Sequence, residues 1–108
     1  MTKTNQNINI HSGDTHTITV TVTDENGDAK NLTDATITYK AGDTIEKTLG
    51  NGIEISNAAG GIFLIALLPV DTASLDGLYP HEAEVTDSNG VVSTIFIGNL
   101  FVTKDLIT

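Results

Sequence analysis

Leu75-Asp76-Gly77-Leu78-Tyr79 leads into the run Pro80-His81-Glu82-Ala83-Glu84-Val85, and Asp87-Ser88-Asn89-Gly90 separates that run from Val91-Val92-Ser93-Thr94-Ile95-Phe96-Ile97. Gly77, without a Cβ, allows a tight turn. Tyr79 then opens an extended segment in which Tyr79, His81, Ala83 and Val85 share one face. The Asp-Ser-Asn-Gly cluster reverses the chain, and the β-branched run from Val91 returns beside it. The stretch therefore reads as two paired strands, and it contains no visible chemistry.

Upstream, the same grammar repeats. Ile8 and Ile10 alternate with polar residues after a loose start, and Ser12-Gly13-Asp14 is a turn. From His16, Ile18, Val20 and Val22 face one way and Thr17, Thr19, Thr21 and Thr23 the other. Asn26-Gly27 is a hairpin signal with no immediate strand behind it, and Leu32 plugs into the core from a connecting loop. Thr36–Lys40 alternates with Ile37 and Tyr39 inward. Ile45–Leu49 and Ile53–Ile55 are weak strands expected at a sheet edge.

Ile62–Leu68 is apolar on both faces, which predicts a central strand covered on each side. Pro69–Leu75 predicts one helical turn with Asp71 as cap. Gly98 predicts a bulge or bend, and Leu100 and Val102 continue the edge until the chain ends, or a linker starts, at 104–108. The whole is a single all-β domain over 1–108, an antiparallel sandwich of about 7–9 short strands.

Composition narrows the function classes. The 108 residues suit one core. Fourteen acidic against five basic residues give a net charge of −9, so nucleic acid is not an expected partner, because phosphate neutralisation needs clustered Lys and Arg. There is no cysteine, hence no disulfide. The polar N-terminus lacks a signal peptide's apolar core, and the longest apolar run, Gly61 to Val70, is far short of a membrane helix, so neither export nor a membrane partner is expected.

Candidate chemistry is sparse. Asp24, Glu25 and Asp28 share a loop, and Asp14, Asp43, Asp71, Asp76 and Asp87 lie in others. Calcium needs six to eight converging oxygens, and Asp24–Asp28 lacks both the spacing and the closing Glu of an EF-hand. Acidic turn residues ordinarily cap their own backbone. His11, His16 and His81 show no zinc-motif spacing. No nucleophile elbow, phosphate loop or metalloprotease motif occurs, so no catalytic residue, cofactor or metal site is expected. A glycan-binding or adhesion module is the alternative class, but of the available aromatic residues Tyr39, Tyr79, Phe63, Phe96 and Phe101 most sit at core phase.

Gly77-Leu78-Tyr79 resembles the tyrosine corner of immunoglobulin-like domains, with His81 where antibody-type domains carry a cysteine. Larger pieces extend the likeness: Asp14–Val20, Thr23–Gly27, Asn31-Leu32-Thr33-Asp34-Ala35-Thr36-Ile37, Ala59–Phe63, Pro69–Leu75 and Asp87–Gly90. As an ensemble the chain resembles the immunoglobulin-like N-terminal domains of tailed-phage structural proteins, of the upper-baseplate, head-fibre or decoration type. The resemblance implies a non-enzymatic virion component made in the host cytoplasm. It would bind other virion proteins, assemble as a homo-oligomer in the particle, and in some settings meet a host-surface glycan. Ile8, Ile10, Leu100, Phe101 and Val102 are the expected partner contacts; Gly77, Tyr79 and Leu32 are expected to be structural.

Overall fold

The computed structural model describes residues 6–104; the loose start before Gln6 and the terminal segment after Lys104 lie outside the described residues. Eight strands and one helical turn follow in order: β1 (Ile8–His11), β2 (His16–Thr21), β3 (Thr36–Ala41), β4 (Ile45–Leu49), β5 (Gly52–Asn57), β6 (Ile62–Leu67), α1 (Pro69–Thr72), β7 (Gly77–Thr86) and β8 (Val92–Thr103). They form one nearly closed, sandwich-like array in the order β1-β8-β7-β3-β4-β5-β6-β2. β8, β7 and β3 make one layer, with β1 parallel to β8, and β5, β6 and β2 make the other. This is the strand order of an immunoglobulin-type sandwich.

Alternation explains why the layers close on each other. Ile37, Tyr39 and Ala41 of β3 and His81, Ala83 and Val85 of β7 point inward and are buried, as are Phe63, Ile65 and Leu67 of β6 and Ile18 and Val20 of β2. Together with Leu32, Leu100 and Val102 they form one core. Leu32 is fully buried although it lies in a loop, tied by its N–H to the Ala58 carbonyl (2.9 Å). Its removal would leave a cavity costing about 2–5 kcal/mol.

The β7–β8 hairpin is built as its turn chemistry dictates. The Asp87 carboxylate accepts from the N–H groups of Asn89 (2.9 Å) and Val91 (3.0 Å), and Gly90 takes φ +82°, which Asn-Gly turns supply without strain. At the other end Gly77 adopts φ +111°, and the Tyr79 hydroxyl both donates to the Asp76 carbonyl and accepts from the Asp76 N–H, each at 3.2 Å. The tyrosine corner is present.

Four expectations are corrected. β4 and β5 are not a free edge: they lie between β3 and β6, joining the layers through a short parallel contact at Thr48↔Gly52 and Leu49↔Ile53. β6 is flanked by β5 and β2, but its second face, Ile62, Leu64 and Ala66, is only half-buried. The bulge falls at Ile95, between the pairs Ala83↔Phe96 and Glu84↔Thr94, and it turns both Ile95 and Phe96 into the core. Gly98 is instead a point of close approach, where a Cβ would run into the Gln6 main chain. Gln6 is anchored rather than loose: its N–H donates to the Ile97 carbonyl at 3.1 Å.

One helical turn forms, at Pro69–Thr72, but its N-cap is Leu68 and not Asp71: Asp71 sits at the third position of the turn, from which its carboxylate reaches back to the Leu68 N–H at 2.7 Å. The same carboxylate meets Lys47 Nζ at 2.8 Å, fastening the turn to β4.

Candidate functional site

The array has two ends, β1 and β2. β2 pairs with β6 from His16↔Leu67 to Thr21↔Ile62, and among the described residues no strand lies on its other side. The phase of its main chain follows from one bond. Val22 N–H donates to the Gly61 carbonyl at 2.7 Å, so Val22, Val20 and Ile18 direct their backbone groups toward β6. In an antiparallel ladder alternate residues point the opposite way. Thr17, Thr19 and Thr21 therefore aim N–H and C=O groups at the open edge, while their side chains stand exposed on the outer face. β2 contains no Asp, Glu, Lys, Arg or Pro.

Beside this edge runs a groove of about 150 Å³, the seam between the last strand of one layer and the first of the other. The β2 residues Ile18–Thr21 line it from one strand, Gln6, Asn7 and Ile8 from the N-terminal segment, and Ile95 and Phe96 from β8. A second feature lies on the outer face of β7 and β8. Leu78 and Phe101 sit opposite each other in register and are both exposed, with Ile97 farther along β8. The Glu82 and Glu84 side chains share that outer face.

Of the five expected partner contacts, Ile10, Leu100 and Val102 are buried in the domain's own core, and Ile8 packs against it half-buried. β8 is flanked by β1 and β7, so it is no edge; the physical reason is that β1 pairs with it from Ile8↔Leu100 to His11↔Thr103. Phe101 is the one member of that set classed as exposed. It is also the one exposed phenylalanine or tyrosine among the described residues: Tyr39, Phe63 and Phe96 are buried, and Tyr79 is partly covered with its hydroxyl committed to the corner.

The interior holds a polar pair that sequence reading does not reveal. His81 Nε2 lies 2.6 Å from the Gln6 carbonyl, which can only accept, so Nε2 carries the proton. Nδ1 is then the lone-pair atom and accepts from the Tyr39 hydroxyl at 2.9 Å. Phe96 closes the group, 5.1 Å from the imidazole centroid. Burial holds the His81 pKa below its ordinary value, against the opposing pull of the Gln6 hydrogen bond. Burial likewise pushes the Tyr39 phenol well above its usual range. Both settings keep the two groups neutral, which makes the pair a clamp on the N-terminal segment.

The carboxylates of Asp24 and Asp87 serve their own turns. Asp24 Oδ1 accepts from the N–H groups of Asn26 (2.9 Å) and Asp28 (3.0 Å). The Val91 N–H hydrogen bond, followed by that of Asn89 and the Lys30 ammonium 3.6 Å away, draws the Asp87 pKa below its ordinary value. Among the described residues no group of three or more His, Cys, Asp or Glu converges as a metal site. No helix there is long and apolar enough to cross a membrane.

No protein-family model and no curated protein matches this sequence.

Proposed function

We propose that this domain is a non-enzymatic structural component of a tailed-phage particle that docks other particle subunits. The observation that supports the reading is the open, uncharged edge of β2. Sheet edges in monomeric domains are ordinarily guarded by Lys, Pro, bulges or covering segments. Within six consecutive residues that carry no charge and no proline, Thr17, Thr19 and Thr21 offer main-chain groups at a constant spacing, the requirement for adding a strand to a sheet. The likeness of Asn31–Ile37, Pro69–Leu75 and Gly77–Tyr79 to phage docking domains supplies the particle.

The test is mass spectrometry of purified phage particles from the source that encodes the chain. A stoichiometric signal in the particles is the expected result. Recovery of the chain only in the soluble fraction, with intact particles lacking it, overturns the reading.

A further inference from the structure

We propose that the β2 edge binds the β2 edge of a second copy of this chain, antiparallel, about a two-fold axis at Thr19. The inference deepens the docking reading and rests on it. The register that uses all three outward-directed residues, Thr17, Thr19 and Thr21, sets Thr19 against Thr19 and Thr17 against Thr21. Three such pairs exchange about six main-chain hydrogen bonds, two for each pair.

The side chains agree with that register. On the outer face threonine meets threonine at every pair, a favourable cross-strand combination. On the inner face Ile18 of one copy meets Val20 of the other beside the groove that Ile95 and Phe96 line. Charge does not oppose a second copy at this edge. The chain carries −9 overall, and the outer faces of the other strands include Glu54, Glu82 and Glu84, which would oppose themselves across a two-fold. Along His16–Thr21 no acidic residue faces its copy. An isologous contact closes after two subunits, so the edge is consumed rather than propagated into a fibre.

Sedimentation equilibrium on the purified chain, across a dilution series from millimolar to micromolar, tests the proposal. The wild type is expected to form a dimer and stop there. Thr19→Lys places like charges directly opposite each other at the axis and should weaken the dimer at least about fivefold. Position 19 is exposed and its backbone groups point away from β6, so the variant keeps the fold; far-UV circular dichroism checks this. Should Thr19→Lys fail to fold, Thr19→Glu takes its place with the same expected loss. Mixing Thr19→Lys with Thr19→Glu should restore pairing as a heterodimer, as a two-fold at this residue requires. A wild type that is monomeric throughout overturns self-pairing while leaving the edge to a foreign strand, whereas absence from particles removes the docking reading itself. A dimer that Thr19→Lys leaves intact also overturns the proposal, because the copies then meet elsewhere.

Discussion

The Tyr39 hydroxyl lies 2.9 Å from His81 Nδ1, and the opposite ring nitrogen lies 2.6 Å from the carbonyl of Gln6. Two residues 42 positions apart thus hold a third near the chain's beginning against β8. Edge-to-face contact between the Tyr39 and His81 rings, with centroids 5.7 Å apart, adds packing to the hydrogen bonds. A neutral imidazole satisfies both partners; an imidazolium would leave the Tyr39 proton without its acceptor and place a charge in the core.

The pH dependence follows. The folded-state pKa of His81 is depressed, so the unfolded chain binds a proton at a higher pH than the folded one. Stability is therefore complete above the ordinary histidine value of 6.5 and falls as the pH drops from there toward the folded value. Thermal melts between neutral and mildly acidic pH should show a decreasing Tm. In His81→Phe that part of the decline should vanish, even though the variant is less stable at neutral pH from loss of the Gln6 and Tyr39 hydrogen bonds.

Leu100 and Phe101 are neighbours with opposite roles. Leu100 is fully buried, and Leu100→Ala should cost about 2–5 kcal/mol in urea titration. Phe101→Ser, at an exposed position, should change stability by less than about 1 kcal/mol. Equal losses would contradict the observed phase of β8.

Gly98→Ala tests the strapping of the N-terminal segment. The added methyl meets the Gln6 backbone, which cannot swing aside as a flexible side chain would. A loss of about 1–3 kcal/mol is expected, with hydrogen exchange rising at the Gln6 amide before the rest of the sheet.

Tyr79→Phe removes the hydroxyl that bridges both main-chain groups of Asp76. The expected cost is roughly 0.5–1.5 kcal/mol, confined to the corner. Gly77→Ala at φ +111° should cost about 1–3 kcal/mol, although nothing crowds the new methyl. Denaturant midpoints of the two variants, alone and combined, measure how far the corner acts as one unit.

The strands themselves were legible because burial on one face imposes a period of two, and the pattern Ile18, Val20, Val22 or His81, Ala83, Val85 can satisfy nothing else. Turn residues set their own geometry locally, as Asp87 and Gly90 do. Leu32 was readable for the same reason: one large apolar residue between polar neighbours has a single favourable destination. The candidate docking edge was only half visible. The absence of charge from His16–Thr21 is written in the chain, yet nothing there says on which side of β2 a neighbour sits.

Sequence alone determined an all-β chain of short alternating strands, the turn at Asp87–Gly90, the corner at Tyr79 and an acidic, cysteine-free surface. Those features depend on residues close together along the chain or on composition. Tertiary structure decided which strands end the sheet, why Gly98 is glycine, that Ile95 bulges, and that Tyr39 meets His81. Each of these depends on pairing between distant segments, and local preference cannot choose a partner strand. The edge belongs to β2 because the segment beside β8 is β1, a choice made only when the sandwich closes.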